Sequence, residues 1–150
     1  MQSDSENILN QSVVHLLHRV SQYASDVFAK SVSARHGLTP RQYAILMVLS
    51  ENEGVSQTHL VNKSGIDRST LADIVRRLLR KGLLERRRTK HDARAYAVRI
   101  SEVGRNLLAA AAPLATEVDQ KILSHLPESD RTKVLAALAI VATITEHEES

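Results

Sequence analysis

The sequence predicts a mainly helical fold that carries one small β-hairpin. Three observations lead there. Apolar residues recur at helical spacing through most of the chain. Alternation replaces that spacing only between Gly82 and Ser101. The composition, 43% apolar but 3% aromatic over 150 residues, requires a core built from aliphatic side chains. That length suits one domain, or a domain with an oligomerisation arm.

Residues 6–37, ENILNQSVVHLLHRVSQYASDVFAKSVSARHG, read as one long helix. Ile8, Val13, Leu16, Leu17, Val20, Tyr23, Val27 and Phe28 recur near helical spacing, and Gly37 is the stop. A second helix follows in LTPRQYAILMVLSENEG, with Thr39 as cap and Pro40 at the first position. Tyr43, Ile45, Leu46, Val48 and Leu49 supply its apolar contacts, and Gly54 ends the segment. The third helix, in VSQTHLVNKSG, is short. Ser56 caps it, Val55 and Leu60 have the spacing of a hydrophobic staple, and Gly65 terminates it. The device then repeats. Asp67 caps a fourth helix, Ile66 lies opposite Leu71, and Leu71, Ile74, Val75, Leu78 and Leu79 form a buried stripe that stops at Gly82.

LLERRR and RAYAVRI then read as two strands with Leu84, Tyr96, Val98 and Ile100 inward, and the polar TKHDA between them as the hairpin tip. Helical spacing returns at Ser101 with Val103, Leu107, Leu108, Ala111, Leu114, Val118 and Ile122. Pro127 and an acidic turn precede the last helix, ESDRTKVLAALAIVATITEHEE. The centre is therefore a helix-turn-helix followed by a β-hairpin wing. The long outer helices have Ala- and Leu-rich surfaces, LLAAAAPLA and VLAALAIVATI, with little to pack on in so small a domain. The simplest cover is the same segment of a second chain. This divides the chain into an N-terminal dimerisation helix (1–36), a winged helix-turn-helix domain (37–100) and C-terminal dimerisation helices (101–150).

Charge placement says more than net charge. The total is +3, but residues 76–94 hold nine Lys or Arg against Glu85 and Asp92, leaving the remainder at −4. A positive patch on a mildly acidic body is the footprint of a polyanion-binding face. The second helix of a helix-turn-helix enters the major groove and reads base edges with its N-terminal residues. Here the apolar stripe anchors one side and turns Arg68, Ser69, Ala72 and Arg76 outward, with Thr70 and Arg77 at the flanks. Arginine can grip guanine bidentately, and hydroxyls can bond bases or phosphates. Exposed amides at the helix start offer a further phosphate site. Arg68, Ser69, Thr70 and Arg76 are the leading DNA-contact candidates. Arg77, Arg80 and Lys81 face phosphates or solvent, and Asp73 either constrains a neighbouring arginine or repels phosphate.

The wing carries Arg86, Arg87, Arg88, Lys90, His91 and Arg94. Strand alternation forbids all of them from touching DNA together. Arg88, Lys90 and Arg94 are the wing candidates. Asp92, two residues before Arg94, is placed to orient its guanidinium for a narrow minor groove.

These residues give the chain a family likeness. From about Leu16 to Ile144 it resembles the MarR family of bacterial transcription regulators, which are winged-helix homodimers. LTPRQYAILMVLSENEGVSQTHL resembles the opening of that family's DNA-binding domain, and SGIDRSTLADIVRRLLRKGLLERRR its recognition helix and first strand. DARAYAVRIS matches its wing, with Asp-x-Arg at Asp92 and Arg94, and EVGRNLL resembles the start of its dimerisation arm. The resemblance implies recognition contacts at Ser69, Thr70 and Arg76, with Arg94 in the wing. Ser101 stands where the family usually has threonine, and both residues cap helices.

The implied function is sequence-specific binding of double-stranded DNA at a pseudo-palindromic site by a homodimer, with repression relieved by a small aromatic acid or a related thioester. Such ligands sit between the arm and the DNA-binding domain in the family. The residues here that suit a carboxylate are His15, Arg19 and Tyr23, which share roughly one helix face. The alternative is an architectural or constitutive DNA-binding protein without an effector. Phosphate binding alone is steeply salt-dependent and indifferent to sequence.

Other chemistries lack residues. There is no cysteine, so no disulfide, thiolate or sulfur-ligated zinc, and no cofactor is implied. No Gly-rich phosphate loop, His-Glu metal motif or nucleophile with a base appears, so the expectation is not an enzyme. His15 and His18 lack further metal-ligand neighbours. No membrane-spanning run occurs and MQSDSEN is unlike a signal peptide, so a cytoplasmic, membrane-free location is expected.

Overall fold

Ser12 opens the first long helix. Its hydroxyl accepts the His15 N–H at 3.3 Å, separating a short helical stretch at residues 8–11 from the helix proper. The continuous helix expected from residue 6 is thus divided, because a serine hydroxyl competes with the backbone for that N–H. Helix α1 comprises Val13–Phe28, a π-helical turn Ala29–Ser33, and Ala34–His36. The wider π turn brings Val32 towards the face of Val27 and Phe28, and all three are buried. Gly37 ends α1 in the left-handed conformation, φ 66°.

This computed structural model describes residues 8–52, 54–88 and 96–144. Helix α2 (Pro40–Glu51) starts in a complete capping box: the Thr39 hydroxyl accepts the Gln42 N–H and the Gln42 side chain accepts the Thr39 N–H, both at 3.1 Å. Helix α3 (Gln57–Ser64) is capped by Ser56 and stopped by Gly65, and α4 (Arg68–Arg80) is capped by Asp67. Gly82 turns the chain into strand β1 (Leu84–Arg88), which pairs antiparallel with β2 (Tyr96–Ile100). Val55, whose sequence context suggests only a staple, also pairs with Val98 through two backbone hydrogen bonds of 3.0 and 3.1 Å. It locks the middle of β2 onto the segment before α3.

Helix α5 (Glu102–Leu123) follows at once, and α6 (Glu128–Ile144) closes the described chain. Ser101 is the joint between hairpin and arm. Its hydroxyl donates to the Gly82 carbonyl at 2.6 Å and accepts the Gly104 N–H at 3.0 Å, while its own N–H reaches the Leu83 carbonyl. One core unites these elements. Leu38, Ile45, Leu46, Leu49, Leu60, Leu71 and Leu78 are fully enclosed, with Val32 from α1 and Ala111, Ala115 and Val118 from α5. The architecture is mainly α with a two-stranded hairpin: a winged helix-turn-helix joined to a helical arm.

The outer helices remain uncovered. Val13, Val14, Leu17 and Val20 on α1 and Leu135, Leu138, Ile140 and Val141 on α6 are 44–80% exposed. Tyr96 corrects the expected inward set, at 47% exposed against 2–4% for Leu84, Val98 and Ile100. It shares their face by alternation but stands at the strand end, beyond the reach of the core. Among the described residues no helix is long and apolar enough to cross a membrane.

Candidate nucleic-acid interface

The buried stripe of α4 holds Leu71, Val75 and Leu78 in the core. The opposite side presents Arg68, Ser69, Asp73, Arg76 and Arg77 to solvent, and Thr70 is half-buried at the edge. Arg68 donates through Nη2 to the Thr58 hydroxyl at 3.1 Å, which ties α4 back to α3 across the turn. Asp73 resolves one expectation: its carboxylate meets the Arg76 guanidinium at 3.0 Å. The helix start is more occupied than the sequence suggests. The Asp67 carboxylate accepts the Thr70 N–H at 2.9 Å. Hydrogen bonding from the Thr70 side chain and backbone, with Arg41 nearby, holds that carboxyl below its ordinary pKa.

The hairpin register sorts the wing arginines. Leu84 pairs with Ile100, Arg86 with Val98 and Arg88 with Tyr96. Directly paired residues share a face, so Arg86 and Arg88 lie on the side of the buried Leu84 and Val98, and Arg87 lies on the other. All three are exposed. On that other face Arg99 closes on Glu85 through Nη2 and Nε at 2.7 and 2.8 Å. Arg86 stands over the Tyr96 ring, 5.7 Å from its centroid. Lys90, Asp92 and Arg94 lie outside the described residues.

Of the arm residues on α1, His15 is half-buried and Arg19 and Tyr23 are exposed. Tyr23 lends its hydroxyl to His125 Nε2 at 2.9 Å, with the rings edge to face, so it staples α1 to the turn after α5. A cleft of about 560 Å³ opens instead between α1, the start of α2 and α4, lined by Ser21, Ser25, Arg41, Thr70, Asp73 and Arg77 among others. His15, Arg19 and Tyr23 do not line it. Arg41 is the residue missed from the sequence. It follows Pro40 in a segment legible only for its caps, and it shares the lining of the cleft with Arg77, 36 residues away in sequence. Among the described residues no group of three His, Cys, Asp or Glu is placed to hold a metal.

This geometry has close counterparts. The profile of the MarR family matches residues 36–95, the span from the end of α1 to the wing. The transcriptional regulator HosA of Escherichia coli O157:H7 is 30% identical over 94 residues, 63% of this chain and 70% of HosA. Among solved structures, the repressor CouR bound to a 23-mer DNA duplex superposes with a TM-score of 0.80 at 29% identity, covering 89% of this chain and 94% of CouR. CouR comes from Rhodococcus jostii RHA1 and has also been solved bound to p-coumaroyl-CoA. BpsR of Bordetella bronchiseptica, whose DNA binding is regulated by 6-hydroxynicotinic acid, gives a TM-score of 0.82 at 25% identity over 88% of this chain and 94% of BpsR. The winged helix-turn-helix, its basic outer face and these matches together establish that the chain belongs to the MarR family of DNA-binding transcriptional regulators.

Proposed function

We propose that this regulator is a homodimeric repressor of a pseudo-palindromic site, released from DNA by a small aromatic acid or its thioester. The observation that carries the reading is the division of α4, with its leucines locked in the core and Arg68, Ser69 and Arg76 directed outward. Arg76 reads a base edge, Ser69 and Thr70 bond bases or phosphates, and Arg77 engages the backbone. Arg88, Lys90 and Arg94 supply the wing contacts, with Asp92 orienting Arg94. A second copy covers the exposed stripes of α1 and α6, since apolar surface in contiguous stripes favours association. Residues 1–36 and 101–150 then form the dimerisation region around a DNA-binding domain at 37–100.

The effector reading draws support from BpsR and CouR, whose ligands are an aromatic acid and an aromatic thioester. In this chain the cleft offers the guanidinium groups of Arg41 and Arg77 to a carboxylate, and Ile74 and Pro40 to a ring. His15, Arg19 and Tyr23 form a second carboxylate-compatible group on the arm. A ligand between arm and α4 favours a different separation of the two recognition helices and so lowers operator affinity.

Selection of bound duplexes from a random pool, with and without 6-hydroxynicotinic acid and p-coumaroyl-CoA, tests this directly. A two-fold sequence motif lost on adding either ligand supports the reading. A motif indifferent to both removes these two effectors, and no motif at all identifies an architectural binder.

A further inference from the structure

A helix in the major groove and a wing in the neighbouring minor groove must straddle one sugar-phosphate strand. The strip of protein between α4 and the hairpin therefore faces that strand. It forms a shallow hollow of about 270 Å³, with Gln57 of α3, Ala72 and Arg76 of α4, and Arg86 and Tyr96 of the hairpin along its walls.

Arg86 is one of the two cations on those walls, with Arg76. Its cross-strand partner is the buried Val98, so it projects on the hairpin face that meets α4, yet it remains exposed. Two neighbouring arginines use their N–H edges within the protein: Arg68 bonds Thr58 and Arg76 bonds Asp73. Arg86 instead rests its guanidinium carbon over the Tyr96 ring, and among the described residues no carboxylate lies within ion-pair distance of it. A guanidinium set beside an aromatic ring spends no N–H donor on a protein acceptor, so its donors remain for an anion, and the ring limits the rotamer entropy lost on binding. This also accounts for the half-open position of Tyr96, an exposed aromatic ring that the core does not use.

We infer that Arg86 is a backbone-phosphate contact at the junction of recognition helix and wing, positioned by the Tyr96 ring. The inference rests on the DNA-binding reading above and adds a residue to it. A phosphate contact contributes affinity and salt dependence equally on any sequence, which sets it apart from the base-reading role of Arg76.

The test is a fluorescence titration of the dimer with its selected duplex and a scrambled duplex over a range of salt. Wild type, Arg86→Ala, Arg86→Gln, Tyr96→Phe and Tyr96→Leu are compared. Both Arg86 variants are expected to bind about tenfold more weakly at low salt, with the slope of log affinity against log salt reduced by about 0.9, on both duplexes alike. Tyr96→Phe keeps the ring and binds as wild type, whereas Tyr96→Leu weakens binding severalfold. An unchanged salt slope in the Arg86 variants, or a loss confined to the selected duplex, overturns the phosphate assignment. Equal losses in Tyr96→Phe and Tyr96→Leu overturn the positioning role. Wild-type protein that binds neither duplex defeats the DNA-binding reading itself, an outcome distinct from these.

Discussion

Asp73 and Arg76 sit one turn apart on α4 and join side chain to side chain at 3.0 Å on the outer face of the recognition helix. Both are well exposed, so the pair adds only about 0–1 kcal/mol to folding. Under the proposed DNA contacts its consequence is for recognition, because it restricts the conformations of a guanidinium and would place a negative charge beside the duplex.

Asp73→Ala is expected to leave the melting temperature nearly unchanged while raising affinity for scrambled DNA and narrowing the preference for the selected site. Arg76→Ala is expected to lose about 1–3 kcal/mol of discrimination at one base pair per half-site. Competition titrations against single-base operator variants measure both. Discrimination unaltered in Arg76→Ala removes that residue from the base-reading set.

Gly104 lies in the first turn of α5 beneath the hairpin. A Cβ there would strike the Leu83 carbonyl oxygen and come within 2.9 Å of Ile100 Cγ1. Leu83 also accepts the Ser101 N–H, so it cannot move away freely. Gly104→Ala is expected to destabilise the protein by about 1–3 kcal/mol, read from the denaturant midpoint. Full stability in this variant would show that hairpin and arm are less tightly joined than the Ser101 hydrogen bonds indicate.

The Asp67 cap carries a pH dependence of defined sign. Its carboxyl titrates below the ordinary value of 3.8 in the folded chain, chiefly because the Thr70 side chain and then the Thr70 N–H bond to it. A lowered folded pKa means that the cap stabilises fully above the unfolded pKa, about 3.9, and is lost as pH falls through the folded value. Asp67→Asn keeps a capping acceptor that does not titrate. The stability advantage of wild type over this variant should therefore shrink with acidification below about pH 4, as measured by urea midpoints across pH. A gap that widens on acidification contradicts the assignment.

Arg41 and Arg77 both line the cleft proposed to take the effector. Arg41→Ala should preserve DNA affinity without ligand but blunt the release caused by an aromatic acid. Arg77→Ala should weaken both, because it lines the cleft and flanks the recognition surface. Tyr23→Phe removes only the hydrogen bond to His125 and tests whether the arm group takes part. Calorimetric titration with the acid, beside DNA binding in its presence, distinguishes the three.

The fold was legible wherever one segment decides its own structure. Thr39, Ser56, Asp67 and Ser101 cap the helices they precede, and Gly37, Gly65 and Gly82 adopt positive φ at the ends their positions suggested. What escaped depends on distance. Val55 meets Val98 across the whole intervening stretch of recognition helices and hairpin. Alternation assigns Tyr96 to the inner face but cannot say that the core ends before it. The division of α1 at Ser12 hinges on one hydroxyl choosing a backbone N–H. The outward side of α4 could be read because its apolar stripe leaves one solution, whereas the cleft behind Arg41 is assembled from three helices and has no local pattern.

The central claim is that two copies of α4 read two related half-sites. Hydroxyl-radical footprinting on the selected duplex, with the bound mass measured in parallel, addresses it most directly. The prediction is one dimer per duplex and two protected regions related by two-fold symmetry, centred about one helical turn, 34 Å, apart. A single asymmetric protected half-site bound by one chain would contradict it.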